Sequence, residues 1–200
     1  MSSHDDDLVA HKTEGYKVGE KKTVEEYAKL DQEDESLNRW KASLGIAAST
    51  GPLALDPNDP RTCIIESLAL EVEGRPDIVI DLTAPGATEK LKDKPFTIKE
   101  GAVFRMKARF RVQHGVLSGL KYVTAVKRKG IRVGKDQEML GSYAPNTKEN
   151  PFYEKKFAQD EAPSGMMARG HYTAIAKFVD DDDHTHLTFE WSFDIAKDWK

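Results

Sequence analysis

The densest group of potentially reactive side chains is the run at 180–186, in which four aspartates are followed by two histidines. Carboxylates and imidazoles at this density could hold a divalent cation, so a metal-dependent enzyme using Asp181, Asp182 and His184 is one hypothesis. The spacing of a calcium loop, D-x-D-x-D-G, is absent, however. The run also joins two stretches of alternating apolar residues, which favours a solvated or partner-facing hairpin loop. We therefore predict a loop without a metal ion.

Other catalytic templates are incomplete. Ser118 lies in the segment GVLSG, which lacks the G-x-S-x-G spacing of a nucleophile elbow. The segment GIRVGK at 130–135 is one residue shorter than a P-loop and is followed by Asp136 instead of serine or threonine. No cofactor is implied by these residues. The sequence predicts a binding protein and not an enzyme.

The length and the cysteine count suggest a small protein of a reducing compartment. Its 200 residues fit one domain with an appendage, and Cys63 has no second cysteine with which to form an internal disulfide. The first twelve residues lack the apolar stretch of a secretory signal. No apolar run approaches the roughly 20 residues that span a bilayer. We expect a cytoplasmic protein.

The charge is distributed unevenly along the chain. Residues 1–36 contain eleven acidic and five basic residues, a balance of −6, whereas the whole chain carries −4. The remainder is therefore close to neutral, at +2. An acidic arm of this kind argues against nucleic acid and favours a basic protein partner. A tail that only aids solubility is the alternative.

Residues 1–62 read as an acidic, flexible regulatory arm with two short helices and a linker. Residues 1–22 have few apolar anchors and should be disordered in the free chain. A capping box, TVEE at 23–26, predicts one helix. Asp34 or Ser36 can cap a second helix. Both helices are too short to persist alone in water, so they fold either on a partner or against the body of the chain.

Residues 63–200 show the twofold apolar period of β-strands. The clearest strand runs from Phe104 to Val112, with apolar residues alternating with lysine and arginine. A further alternation runs from Met166 to Phe178. Seven or more such strands, separated by turn signals, predict an all-β fold, an immunoglobulin-like β-sandwich. Its inward positions either fill an ordinary core or line a slot between the sheets, and composition alone does not separate the two.

Seven segments in register resemble the Rho GDP-dissociation inhibitor family: LDQEDESLNRWKASLG, KEGAVFRMKARFRV, SGLKYV, KRKGIRV, MLGSYAPN, EAPSGMMARGHYT and FVDDDDHTHLTFEWSFDIAKDWK. The similarity extends from about residue 23 to residue 200. It implies a protein that binds geranylgeranylated, GDP-bound Rho-family GTPases in a one-to-one complex. The arm would close on the GTPase and slow GDP release, while the sandwich would hold the geranylgeranyl group between its sheets and so withdraw the GTPase from the membrane.

The same resemblance assigns site residues by matching positions. Asp34, Ser36 and Asp182 correspond to positions that contact the GTPase. The prenyl pocket would be lined by Leu68, Leu70, Phe96, Phe104, Val116, Phe189 and Trp191. A general carrier of prenylated proteins, with no effect on GDP release, is the alternative within this architecture.

Overall fold

A computed structural model describes residues 8–19, 26, 29, 33–36, 38–39 and 58–200. Between residues 58 and 200 the chain forms nine strands and a short 3₁₀ turn at Ala87–Lys90. The strands are β1 (Cys63–Glu71), β2 (Ile78–Asp81), β3 (Phe96–Lys99), β4 (Val103–Val112), β5 (Leu117–Arg128), β6 (Ile131–Tyr143), β7 (Tyr153–Glu161), β8 (Gly170–Val179) and β9 (Thr185–Ala196). No helix among the described residues is both long enough and apolar enough to cross a membrane.

The strands form two sheets that face each other across a shared apolar core. One sheet has the order β2-β1-β4-β7 and the other the order β3-β9-β8-β5-β6. Neighbouring strands are antiparallel except for β3, which runs parallel to β9. The predicted all-β sandwich is confirmed.

Strand β4 shows how the sequence pattern specifies this layering. Its alternate residues Ala108 and Phe110 are fully buried between the sheets. The intervening basic residues point outward, where the Arg109 guanidinium donates to the Glu66 carboxylate of β1 at 2.8 Å. A shift of one residue would bury the basic side chains, so this alternation fixes the register of β1 against β4.

The structure differs from the sequence prediction at three strands. The alternation predicted from Met166 starts too early, since β8 begins at Gly170. Residues 166–168 form a turn, in which the Ala168 amide donates to the Gly165 carbonyl at 2.9 Å. Strands β3 and β7 did not stand out in the sequence. Both present few buried side chains, Ile98 in β3 and Phe157 in β7, so their apolar period is weak.

The N-terminal segment 8–19 lies on the outer face of the five-stranded sheet. Leu8 is 3% exposed and packs against apolar residues of β5 and β8. The amide of His11 donates to the side chain of Gln137 at 2.7 Å, and Lys135 donates to the Val9 carbonyl at 3.0 Å. The low apolar content of residues 1–22 suggested disorder, but Leu8 supplies an anchor that a count of apolar residues undervalues.

Only part of the predicted helical pair is described. The Asp34 carboxylate accepts from the amide and the hydroxyl of Ser36, each at 2.8 Å, and therefore caps a helical turn. Arg39 pairs with Glu35 at 3.4 Å one turn apart. Of the predicted capping box at 23–26, only Glu26 is described, in a helical turn, and residues 23–25 lie outside the described residues.

Cys63 is the single cysteine of the chain and is 1% exposed. Burial, assisted by the nearby Asp180 carboxylate, raises the pKa of its thiol from 9.0 to about 12. The thiolate is the reactive form, so we expect labelling by a disulfide reagent at pH 8 to be about 1,000-fold slower in the folded protein than in guanidinium chloride. Rapid labelling in native buffer would show that the start of β1 opens readily.

Candidate functional site

A cavity of about 500 Å³ lies between the two sheets. Small-molecule pockets commonly have volumes of about 300–1,000 Å³. Large apolar and aromatic side chains from both sheets form most of its wall: Leu70, Ile98, Phe104, Met106, Tyr122, Val126, Phe157, Trp191 and Phe193. Such a wall suits an apolar chain.

The mouth of the cavity lies between the edge strands of the two sheets. Strands β6 and β7 stand at the ends of their sheets and contribute Lys135, Asp136, Gln159 and Asp160 to the cavity wall. All four residues are exposed. The Ala158 amide donates to the Glu138 carboxylate at 3.3 Å, which ties the two edges together beside the opening. The cavity therefore has an apolar interior and a charged rim.

One lining position of the cavity, Gly134, has no side chain. A Cβ atom added at Gly134 would lie 4.0 Å from the Cβ of Val126 on the neighbouring strand and would meet no nearer atom. A leucine at this position would therefore extend into open space.

A row of stacked aromatic rings stiffens one wall. Trp191 stacks on Phe96 with ring centroids 5.5 Å apart, and it also lies 5.3 Å from Phe193. Tyr172 also stacks on Phe193, with ring centroids 5.2 Å apart. Such pairs stabilise beyond the area they bury, by about 0.5–1.5 kcal/mol each. The wall is therefore held in place without a ligand.

The structure brings together some of the predicted pocket residues and separates others. Leu70, Phe104 and Trp191 line the cavity, and Phe96 supports it through its stack on Trp191. Leu68 and Phe189 are buried in the core between the sheets at 0% and 4% exposure, outside the cavity wall.

Val116 lies elsewhere. It lines a second, smaller cavity of about 230 Å³, together with Cys63 and the loop between β8 and β9. The two cavities are at opposite ends of the strands, because Cys63 begins β1 whereas Leu70 lies near its end.

Sequence reasoning missed several cavity residues, notably Met106, Tyr122, Val126 and Phe157. Met106, Tyr122 and Val126 occupy inward positions of alternating strands, which is the only signal they carry, whereas Phe157 is the single buried residue of β7, whose apolar period is weak. The same signal marks many residues that merely fill the core. Alternation therefore supplies the candidates but does not select among them.

The loop between β8 and β9 is organised by Asp180. Its carboxylate accepts from the backbone amide of His184 at 2.8 Å and contacts the His186 ring nitrogen at 3.0 Å. Burial raises the pKa of this carboxyl, but the bonds from His186 and the His184 amide act against burial and hold the pKa below its ordinary value. Within the described part of the chain, no three His, Cys, Asp or Glu side chains are gathered to hold a metal ion.

The lowered pKa of Asp180 predicts a stability term that depends on pH. A carboxyl with a depressed pKa in the folded state stabilises above its unfolded value, near pH 4, and loses this contribution as the pH falls. We expect Asp180→Asn to cost about 1–2 kcal/mol at pH 7 and less at pH 3. Urea denaturation of both proteins at the two pH values measures this difference. An equal cost at both would show that the charge of Asp180 is unimportant.

Asp181 is buried beside the only strongly buried lysine among the described residues. It is 5% exposed and forms an ion pair with Lys121, which is 1% exposed. The Thr13 hydroxyl also lies 2.9 Å from the Asp181 carboxylate. Gly119 has a φ of 60°, and a Cβ atom there would collide with this carboxylate. A glycine at 119 therefore makes room for the ion pair.

The N-terminal segment covers the exposed side of this acidic loop. The Tyr16 hydroxyl donates to Asp182 at 2.8 Å, and Lys12 pairs with Asp183 at 2.6 Å. Burial, followed by the bond to Asp182, raises the pKa of the Tyr16 phenol. Asp182 therefore lies at the surface but in contact with the arm. Asp34 and Ser36 are also exposed.

Comparison with known proteins gives a consistent result. A model of the family described as RHO protein GDP dissociation inhibitor matches residues 1–198. The Rho GDP-dissociation inhibitor of Schizosaccharomyces pombe is 50% identical over 183 residues, which cover 92% of this chain and 86% of that protein. That of Saccharomyces cerevisiae is 47% identical over 183 residues, covering 91% and 90%. Human Rho GDP-dissociation inhibitor 1 is 40% identical over 187 residues, covering 92% and 87%.

These matches extend over the sandwich and the arm alike. Their identities of 40–50% indicate a shared family and not only a shared fold. The resemblance found in the seven sequence segments is confirmed, and so is the expectation of a protein that is not an enzyme. The chain belongs to the Rho GDP-dissociation inhibitor family, whose members are regulatory inhibitors.

Proposed function

We propose that this protein binds geranylgeranylated Rho-family GTPases in their GDP-bound form, slows GDP release and withdraws them from membranes into the cytosol. The observation that carries the proposal is the apolar cavity between the sheets, whose volume of about 500 Å³ suits an isoprenoid chain. Family membership supplies the class of partner. A GTPase whose lipid occupies the cavity would be held in a soluble one-to-one complex.

The energetics explain why a cavity alone is insufficient. Each methylene that leaves water gains about 0.8 kcal/mol, whether it enters a bilayer or an apolar pocket. The lipid therefore gains little by exchanging one environment for the other. Contacts between the two proteins must decide which is favoured. We assign these contacts to Asp34 and Ser36 in the arm and to Asp182 in the acidic loop.

The acidic loop and the arm offer complementary charge for a basic GTPase segment. Asp182 and Asp183 lie together at the surface, and each is held by one residue of segment 8–19. A GTPase that contacts Asp182 must either displace Tyr16 or share this carboxylate with it. The arm and the loop therefore act as one surface, and charge at this surface would tune the rate and the specificity of association.

Liposome co-sedimentation tests the proposal. A GDP-loaded, geranylgeranylated Rho-family GTPase is bound to vesicles, and the protein is added in increasing amounts. We expect the GTPase to move to the supernatant in one-to-one proportion, and GDP release to slow in the same complexes. Equal binding of prenylated and unprenylated GTPase, with GDP release unchanged, would contradict the proposal.

Substitutions in the arm and the acidic loop distinguish an inhibitor from a general carrier of prenylated proteins. The double variant Asp34→Ala and Asp182→Ala should lose much of its control over GDP release while retaining affinity for a geranylgeranylated peptide. A carrier would show no change in either measurement. Glu89→Ala and Asp93→Ala, at two exposed acidic positions outside the cavity wall, the arm and the acidic loop, give a control with the same change in charge.

A further inference from the structure

Four strongly exposed apolar side chains lie at the cavity end of the sandwich. Ile131 and Val133 at the start of β6 are 70% and 56% exposed, and Met166 and Met167 in the loop after β7 are 83% and 86% exposed. We call residues 127–135 and 163–169 together the basic tip. Large apolar groups exposed in a cluster commonly mark an interaction site.

The two segments of the basic tip are held side by side. Arg128 of β5 is the cross-strand partner of Ile131. Its guanidinium donates to the carbonyl of Met167 and, at 2.6 Å, to that of Arg169. It also lies 5.3 Å from the ring of Tyr172. One arginine side chain therefore links the hairpin to the methionine loop, which places the exposed apolar groups at one end of the sandwich.

A bulge turns Val133 outward within this surface. Val126 pairs with Gly134 and Lys127 pairs with Arg132, which leaves Val133 as the extra residue on β6. The hairpin itself turns at Lys129 and Gly130, whose φ angles of 50° and 80° are both in the left-handed region. A tight turn followed by a bulge gives a projecting, twisted end to the hairpin.

The charge of the tip is opposite to that of the whole chain. Residues 127–135 contain five lysines and arginines and no acidic residue, although the chain as a whole carries −4. Lys129 and Arg132 are exposed among the apolar side chains. Arg169 is paired with Glu100 at 2.5 Å, so its charge is offset and the basic character comes from the hairpin. The tip is thus a basic surface with projecting apolar groups.

Both segments continue directly from the mouth of the cavity. Val126, Gly134 and Lys135 line the cavity and flank the hairpin turn, and Ala158 to Asp160 line it just before the methionine loop. A surface that contacted the basic tip would therefore lie next to the entrance of an apolar pocket.

We propose that the basic tip docks on an anionic phospholipid surface, with Ile131, Met166 and Met167 entering the interface and Lys129 and Arg132 contacting headgroups. Each lysine or arginine near such a surface contributes favourable attraction that salt screens, and buried apolar area adds to it. A nucleic acid would use the positive charges but has no need of two exposed methionines. The role of this docking in lipid extraction rests on the proposed function, because it would place the cavity mouth beside the bilayer.

Sedimentation of the full chain with sucrose-loaded vesicles tests the proposal without a GTPase. We expect binding to vesicles of 70% phosphatidylcholine and 30% phosphatidylserine, weak binding to pure phosphatidylcholine, and loss of the difference in high salt. Lys129→Glu with Arg132→Glu should lower the partition coefficient about tenfold or more. Ile131→Ser with Met166→Ser and Met167→Ser should also lower it. Lys90→Glu with Lys148→Glu, and Val79→Ser with Val18→Ser, are exposed controls that should bind normally.

Thermal unfolding of each variant separates lost binding from lost folding. The proposal is overturned if the protein binds both vesicle types equally or binds neither at low salt. It is also overturned if the protein prefers an oligonucleotide to the anionic vesicles. The same holds if the control substitutions weaken vesicle binding as much as those in the tip. Affinity for a geranylgeranylated peptide in vesicle-free solution should be unchanged by the tip variants. If the unaltered protein does not bind the geranylgeranylated peptide, the proposed function is refuted, whereas the vesicle result still stands.

Discussion

Asp181→Ala is expected to lower the free energy of unfolding by about 3–5 kcal/mol, because it leaves Lys121 buried without a counter-charge. Lys121 is 1% exposed, and the Asp181 carboxylate is its ion-pair partner. The substitution also removes the acceptor of the Thr13 hydroxyl. A loss of this size is a large share of the unfolding free energy of 5–15 kcal/mol that is typical of a domain. Denaturation in urea at pH 7 measures the change.

Two further variants show whether the effect arises from the buried charge. Asp183→Ala removes a neighbouring aspartate whose side chain is 63% exposed and pairs with Lys12. A surface pair of this kind contributes about 0–1 kcal/mol, so little should change. Replacing Lys121 with Met in the Asp181→Ala background should recover much of the lost stability, since the orphaned charge is then absent. If that double variant is no more stable than Asp181→Ala, the carboxylate acts through packing or through Thr13.

The sandwich could be predicted because its central strands alternate cleanly. In β4, apolar residues face the core and basic residues face outward, so composition alone distinguishes the two sides. β7 carries no such contrast, since it is an edge strand on which Phe157 is the only buried residue. β3 is four residues long and pairs in parallel with β9, about a hundred residues later in the chain, so no local pattern reveals it.

The candidate site was harder to predict from the sequence than the fold, for a physical reason. A cavity depends on the distance between two sheets. The sequence pattern of inward residues is the same whether their side chains fill the space between the sheets or leave part of it open. Leu68 and Leu70 are both inward residues of β1, yet only Leu70 reaches the cavity. The contacts of Thr13 and Tyr16 with the acidic loop join residues more than 160 positions apart, and single polar residues give no sign of such pairing.

Val126→Phe should weaken binding of a geranylgeranylated peptide by about 15- to 50-fold. Val126 lines the cavity next to Gly134, so the larger ring would extend into the open space between them. If the ring excludes two or three carbon atoms of the lipid, each costs about 0.8 kcal/mol of burial, and every 1.4 kcal/mol is a factor of ten in affinity. Fluorescence titration with a labelled peptide measures the loss.

The matched control is Val79→Phe, the same substitution at a residue of β2 that is 60% exposed and does not line the cavity. It should bind the peptide normally. Val126→Phe should also extract less prenylated GTPase from vesicles than Val79→Phe does. Both variants should bind anionic vesicles through the basic tip. Because Val126→Phe fills space that is open, its folded state should tolerate the ring at a cost below the 1–3 kcal/mol of overpacking a filled core. Normal peptide binding by a folded Val126→Phe protein would mean that the lipid does not occupy this cavity.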